Sequence, residues 1–124
     1  MAVSRVAQRE IVEVPYQLPD GSIKPHMALV LSTSKLLEAE EGMFYAVLIS
    51  SKNINPEFTL EIQDEWLSKP LSKIIVYYLI LIINKFLFLF DLYLILLFNN
   101  FVKKDYFDAI MNKVILSMFD IEIM

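Results

Sequence analysis

The hydrophobic positions of this chain fall into short apolar runs separated by turn-forming residues. Four runs have the length and the β-branched or aromatic content of strands: residues 11–16, 26–32, 44–50 and 58–62. Between the first two, Pro19 presets φ and Gly21 supplies a positive φ, which predicts a turn at Asp20. Pro15 lacks a backbone N–H, so its run is predicted to be an edge strand or a strand end. The unbroken apolar residues 28–31 predict burial on both faces of the second strand.

Two other stretches have the spacing of helices. Residues 34–41 predict a short helix with Ser34 as its N-cap and Gly42 as its end. Near the C-terminus, Asp105 is the predicted cap of an amphipathic helix whose apolar positions are Phe107, Ile110, Met111, Val114, Ile115 and Met118. One helical turn is expected around an inward-facing Trp66. Together these elements predict a mainly β fold: a strongly curved antiparallel sheet or barrel, covered by a C-terminal helix.

Composition narrows the class of protein. The 124 residues suit one domain, with a polar N-terminal arm at residues 1–9 and the folded domain at residues 10–124. A net charge of −4 gives no global basic field that would attract nucleic acid, so any such binding would depend on a local patch. The absence of cysteine and the single histidine argue against disulfides and a structural zinc site. The N-terminus has no apolar signal-peptide core, so the cytoplasm is expected.

Residues 74–100 are anomalous within this domain, because they contain only Ile, Val, Leu, Phe, Tyr, Asn, Lys and Asp. A buried strand and helix covered by a dimer interface is one explanation. A transmembrane hairpin is another, since residues 74–98 exceed the roughly 20 apolar residues of a bilayer span, although Asn84 and Lys85 fall near the middle. A third explanation, which we favour, is a pair of compensating frameshifts, because these residue types have A/T-rich codons. Resequencing the locus tests it.

The candidate chemistry lies where loops meet the predicted strands. His26 begins the second strand, and Ser50 and Ser51 end the third. RNA cleavage by internal attack needs a base for the 2′-OH, stabilisation of phosphate charge and an acid for the leaving oxygen. A histidine exchanges protons near neutral pH, a serine hydroxyl donates to phosphate, and Lys24 and Lys52 could contact phosphates. These residues therefore suit a nuclease without metal or other cofactor, although surface and turn roles explain the same residue types.

The order and spacing of these features resemble the PemK/MazF family of bacterial toxins. The resemblance covers roughly residues 10–73 and, more weakly, residues 101–123. It rests on the first strand and three further motifs: Asp20-Gly21-Ser22, Lys24-Pro25-His26-Met27-Ala28-Leu29-Val30 and Leu48-Ile49-Ser50-Ser51. His26 stands where that family usually has a catalytic arginine, and Ser50-Ser51 stands where it has Thr-Ser.

The resemblance implies a small SH3-like barrel of the PemK/MazF/CcdB type with a C-terminal helix. It implies a type II toxin–antitoxin toxin: a homodimeric, metal-independent endoribonuclease (mRNA interferase) that cuts single-stranded RNA and is inhibited by its cognate antitoxin. His26, Ser50 and Ser51 would be catalytic, and Lys24 and Lys52 would bind substrate. Two alternatives remain open. The chain could be a non-catalytic module of the same fold that binds RNA, DNA or an antitoxin, or a small membrane protein anchored by residues 74–98.

Overall fold

Antiparallel strands dominate the described part of the chain, which in a computed structural model comprises residues 6–40, 43–53, 55–87 and 96–119. The strands are β1 (Glu10–Gln17), β2 (Ile23–Val30), β3 (Met43–Ser50), β4 (Thr59–Glu61), β5 (Tyr78–Leu87) and β6 (Leu96–Phe101). The helices are α1 (Ser34–Ala39) and α2 (Lys104–Phe119), and 3₁₀ turns cover Pro56–Phe58 and Asp64–Trp66. The strands form one six-stranded sheet in the order β4-β5-β3-β2-β1-β6. The prediction of a mainly β fold with a C-terminal helix is confirmed.

Successive side chains of the strands alternate between two buried clusters, one on each face of the sheet. On the face that we call the helix face, the sheet packs against α2, and the cluster includes Ile11, Leu29, Val47, Ile49, Leu79, Leu81, Phe107, Ile110 and Val114. On the opposite face the cluster comprises Val6, Val12, Val14, Ala28, Val30, Phe44, Ala46, Leu48 and Phe86. All of residues 28–31 are buried. The second strand is therefore covered on both faces, as its apolar run predicts.

The prediction for Pro15 is half right. β1 pairs with both β2 and β6, so it is not an edge strand of the sheet. The pairing with β6, however, extends along β1 only from Glu10 to Glu13. Pro15 lies beyond that point, opposite Pro25 of β2. Pro15 therefore lies inside β1, in the part of the strand that pairs with β2 alone, and its missing N–H breaks no hydrogen bond to β6.

The predicted helices are present, but their details differ. The cap of α1 is Thr33, whose side chain accepts a hydrogen bond from the Leu36 N–H at 3.2 Å, and Ser34 is the first helical residue. Gly42 lies outside the described residues. Asp105 is in the first turn of α2 rather than at its cap, because α2 already begins at Lys104. Of the predicted apolar positions of α2, Ile115 and Met118 are exposed, because only the side nearer Ile110 faces the sheet.

The sheet is not closed into a barrel within the described residues. Its outer strands are β4 and β6, and neither pairs with the other. β4 has only three residues, because Phe58 of the predicted strand 58–62 belongs to the 3₁₀ turn Pro56–Phe58 and the strand ends before Ile62. The second 3₁₀ turn, Asp64–Trp66, then brings the chain beside the end of β6, where the Ser68 N–H donates to the Phe101 carbonyl at 2.9 Å. An isolated antiparallel bridge joins Leu67 to Val102 and links the two ends of the sheet.

A set of hydrogen bonds around Asn100 reinforces this link, and we call it the Asn100 clasp. The Asn100 side chain is buried; its Oδ1 accepts from the Ser68 hydroxyl at 2.8 Å and from the Lys69 N–H at 3.1 Å. Its Nδ2 donates to the Lys69 carbonyl at 2.8 Å. On the other side, the Val102 N–H donates to the carbonyl of Arg9, a residue with a φ of 76°. One short segment therefore connects β1, β6 and the start of α2 to the chain that follows β4.

Part of the anomalous run 74–100 is built into the sheet. β5 lies between β3 and β4, with Leu79, Leu81 and Phe86 buried. Ile74 is 91% exposed, which shows that the run is not uniformly buried. Residues 88–95 lie outside the described residues. None of the helices within the described ranges is both long and apolar enough to cross a membrane.

The two isoleucines of α2 provide a matched test of its packing. We expect Ile110→Ala to lower the free energy of unfolding by about 2–5 kcal/mol, because this side chain is buried against the sheet and its truncation leaves a cavity. Ile115→Ala should change it by less than about 0.5 kcal/mol, because Ile115 is largely solvated. Urea unfolding followed by far-UV circular dichroism measures both. Equal losses would show that α2 packs through a different side.

The Asn100 clasp predicts a second stability effect. Asn100→Ala removes three hydrogen bonds to residues 68 and 69, and we expect a loss of about 1–3 kcal/mol because buried polar groups lose their partner. Asn112→Ala, at an exposed position of α2, serves as the control and should not destabilise the protein. Thermal unfolding compares the two variants. If Asn100→Ala is as stable as Asn112→Ala, the Asn100 clasp does not stabilise the protein.

Candidate functional site

A turn held by one carboxylate leads into the strand that carries the histidine. Asp20 accepts hydrogen bonds from the Ser22 hydroxyl at 2.6 Å and from the Ser22 N–H at 2.8 Å. The Ser22 hydroxyl, followed by its N–H, lowers the pKa of Asp20. Gly21 has a φ of 90°, and its N–H donates to the Leu18 carbonyl at 2.9 Å. The predicted turn is confirmed, and it sets the register between β1 and β2.

His26 lies half-buried on β2, directly opposite Val14 of β1. Its ring meets the Tyr16 ring edge-on, with a centroid distance of 5.8 Å. Its Nδ1 is 3.2 Å from the Met27 carbonyl oxygen. Because a carbonyl oxygen only accepts hydrogen bonds, this contact assigns the proton of a neutral ring to Nδ1. The lone pair of Nε2 is then available to accept a proton from a bound molecule.

The register of β2 and β3 places Ser50 beside His26. Met27 faces Ile49, so the next position along the same register sets His26 opposite Ser50, about 4.8 Å away across the strands. Residues directly opposite each other in an antiparallel pair share one face of the sheet. The Ser50 Oγ accepts from the Lys52 N–H at 3.0 Å, and this bond does not use the hydroxyl proton. Ser50 is therefore a hydrogen-bond donor next to the imidazole.

Two further polar side chains continue this line across the sheet. Ser50 faces Tyr78 of β5, and Tyr78 faces Glu61 of β4. Their neighbours in sequence belong to the helix face, so all four side chains stand on the opposite face. We call His26, Ser50, Tyr78 and Glu61 the polar row. It brings an imidazole, an aliphatic hydroxyl, a phenol and a carboxyl group into one line from four different strands.

Tyr78 is the member of the row that the sequence did not single out. It lies inside the apolar run 74–98, where tyrosine looks like one more hydrophobic residue. Glu61 alternates with apolar neighbours and looks like an ordinary solvated strand position. The signal that unites them is the pairing of β5 with both β3 and β4. That pairing is non-local, so no local pattern reveals it.

The remaining predicted residues lie around the row. Lys24 is exposed on β2, opposite Tyr16, and two positions before His26, so it shares the face of the row. Ser51 and Lys52 are exposed and follow the end of β3. The structure therefore places His26, Ser50 and Lys24 on one face and Ser51 and Lys52 in the adjoining loop.

The row forms a border between the core and the solvent. Two residues further along the strands on the same face, Val12, Ala28 and Leu48 are buried. On the other side of the row, the strands continue into their solvent-exposed ends. These buried apolar side chains exclude water from one side of the row, which strengthens the hydrogen bonds and charge interactions made there.

A separate open cavity of about 210 Å³ lies between the 3₁₀ turn after β4 and the segment before β5. Its wall includes the charged residues Glu61, Asp64 and Lys73, together with Ile62, Leu67, Leu71 and Tyr77. Glu61 is the one member of the polar row that reaches it. None of the residues predicted to form the site lines this cavity.

Convergent metal ligands are not found in the part of the chain that the structure describes: no three His, Asp or Glu side chains come together there. The side chains of the polar row can form hydrogen bonds and transfer protons. The exposed lysines add positive charge at its margin.

Comparison with protein-family models finds no match to this chain, and comparison with curated proteins finds none either.

The turn before the site predicts a pH effect. Ser22→Ala removes the hydroxyl that donates to Asp20, so the pKa of Asp20 should rise toward its ordinary value of 3.8. A carboxyl whose pKa is lowered by folding stabilises the protein above its unfolded-state pKa, and this contribution is lost as pH falls through the folded-state value. The wild type should therefore be more stable than Ser22→Ala at neutral pH and lose that advantage in acid.

Carbon-13 NMR titration of the Asp20 carboxyl and urea unfolding at several pH values measure both effects. Ser34→Ala is the control, because Ser34 is exposed and does not cap α1. An unchanged Asp20 titration in Ser22→Ala would contradict the assignment.

Proposed function

We propose that this protein is an endoribonuclease toxin that resembles the PemK/MazF family and cleaves single-stranded RNA without a metal. The observation that carries this proposal is the register of β2 and β3, which continues from Met27 and Ile49 to place His26 and Ser50 on one face of the sheet, between buried apolar residues and solvent. The mainly β fold with a C-terminal helix is compatible with the SH3-like type implied by the resemblance. The SH3-like barrel type, the cytoplasmic location and the formation of a homodimer are parts of the same proposal.

The geometry suits the first two requirements of internal attack on RNA. His26 Nε2 removes the proton of the 2′-OH, because Nδ1 is held by the Met27 carbonyl. The 2′-oxygen attacks the phosphorus of the adjacent linkage. The Ser50 hydroxyl donates to a phosphate oxygen and stabilises the charge that develops there. The product is a 2′,3′-cyclic phosphate, and the leaving 5′-oxygen must receive a proton.

Substrate binding would depend on local charge. The net charge of −4 opposes general attraction of RNA, so Lys24 and Lys52 would supply the phosphate contacts next to the row. Each contact with a phosphate of single-stranded nucleic acid contributes about −0.7 to the slope of log K against log salt concentration, so two contacts give a slope of about −1.4. A shallow salt dependence is therefore expected. A cognate antitoxin would inhibit by covering the same face.

A non-catalytic binding module is the second candidate, and one observation favours it. His26 Nδ1 contacts the Met27 carbonyl, and Ser50 Oγ accepts from the Lys52 N–H, so each group is bonded to neighbouring backbone. A site of this kind can bind a phosphate through the serine hydroxyl and the lysines without transferring a proton. Cleavage separates the two candidates.

The main test is cleavage of a single-stranded oligoribonucleotide by purified protein in the presence of a chelator. We expect wild-type cleavage to give 2′,3′-cyclic phosphate ends. His26→Ala should lower the rate by about 10²–10⁴-fold because the general base is lost, and Ser50→Ala should also impair cleavage. Ser34→Ala should cleave as the wild type does. Circular dichroism confirms that each variant is folded.

Folded wild type that binds the oligonucleotide without cleaving it would establish the binding module instead. Wild type that neither binds nor cleaves would overturn the proposal. Induced expression in bacteria gives a cellular measurement: growth arrest with fragmentation of total RNA should require both His26 and Ser50.

A further inference from the structure

The in-line geometry of phosphodiester cleavage requires the base and the acid to act from opposite sides of the phosphorus. The polar row provides this arrangement around Ser50. His26 lies one strand to one side of Ser50 and Tyr78 lies one strand to the other, each about 4.8 Å away across the sheet. A phosphate that accepts a hydrogen bond from Ser50 is therefore flanked by an imidazole and a phenol.

We propose that Tyr78 is the catalytic acid that protonates the leaving 5′-oxygen. This inference rests on the proposed ribonuclease function and adds a catalytic residue to it. Tyr78 is half-buried on the same face as Ser50, and its phenolic O–H is a hydrogen-bond donor. In the pairing of β3 with β5, Tyr78 stands directly opposite Ser50.

The other groups near the row fit this role less well. Glu61 is one strand further away, about 14 Å from His26 across the sheet. Tyr16 contacts the His26 ring, but it belongs to β1, on the far side of His26 from Ser50. Tyr77 precedes Tyr78 but packs with the cluster on the helix face. Tyr78 is therefore the phenol that stands across Ser50 from the histidine.

The step balances with groups on this chain. The 2′-OH proton passes to His26 Nε2 while the 2′-oxygen forms a bond to phosphorus. The bond from phosphorus to the 5′-oxygen breaks, and its electron pair takes the Tyr78 phenolic proton. The products are a 2′,3′-cyclic phosphate and a free 5′-OH. The imidazolium of His26 and the phenolate of Tyr78 then return to their starting states by proton exchange with water.

A pair of substrates tests the proposal directly. One is an ordinary oligoribonucleotide, and the other has sulfur in place of the bridging 5′-oxygen at the cleaved linkage, so that a thiolate leaves without a proton. Tyr78→Phe keeps the ring and removes the acid. We expect it to cleave the oxygen substrate about 10²–10⁴-fold more slowly than wild type. It should cleave the sulfur substrate within about threefold of wild type.

Two matched variants complete the design. Tyr77→Phe makes the same chemical change at the neighbouring position on the other face and should cleave both substrates as the wild type does. His26→Ala should remain impaired on both substrates, because sulfur in the leaving group does not replace the base. This pattern distinguishes loss of the acid from a general loss of packing.

The results that overturn the inference are equally specific. If Tyr78→Phe cleaves the oxygen substrate within threefold of wild type, or is equally slow on both substrates, Tyr78 is not the acid. If folded wild type cleaves neither substrate, the ribonuclease function fails, and the assignment of Tyr78 fails with it. If the wild type is active and Tyr78→Phe cleaves at the wild-type rate, the ribonuclease function stands and only the assignment of Tyr78 as the acid is rejected.

A second measurement avoids any loss of the phenol. Fluorotyrosine placed at position 78 donates its proton more readily and loses it at lower pH. The high-pH limb of the rate profile on the oxygen substrate should therefore move to lower pH. An unmoved limb in a folded, active protein would contradict the assignment of Tyr78.

Discussion

The link between the two ends of the sheet is the constraint on which the rest of this structure depends. β4 and β6 do not pair within the described residues, and the bridge from Leu67 to Val102 and the Asn100 clasp connect these two ends of the sheet. Directly after this link the chain enters α2, where the Phe107 N–H bonds to the Lys103 carbonyl. The position of α2, and with it the cover of the helix face, follows from a few hydrogen bonds at one junction.

An irregularity in the pairing of β3 with β5 determines which residues meet on the opposite face. Val47 faces Ile83, whereas Ser50 faces Tyr78, and the register shifts between Val47 and Ile49. Continuing the first register would set Ile80 opposite Ser50, so the shift replaces an aliphatic side chain by a phenol. Bulges are common beside functional sites because they redirect side chains in this way. The presence of Tyr78 in the polar row depends on this local change.

Local patterns in the sequence predicted the strands β1, β2 and β3, the turn at Asp20 and the C-terminal helix, because each has a periodicity or a turn chemistry of its own. They did not predict the cap of α1, where Thr33 and Ser34 are equivalent by residue type. They also failed for Ile115, because helical spacing does not show how wide the buried stripe of α2 is. His26 and Ser50 were evident at strand ends, but Tyr78 joins them only through the non-local pairing of β5.

The two prolines that face each other in the β1–β2 hairpin have a consequence for the fidelity of folding. Opposing residues of an antiparallel pair either exchange two hydrogen bonds or none, and Pro15 and Pro25 can occupy only the second kind of position. A slip of one strand by one residue would turn its proline toward the partner strand without a donor and would turn every side chain of that strand to the wrong face. The proline pair thus selects against misregistered hairpins. Because Pro25 directly precedes His26, it also holds the histidine in register.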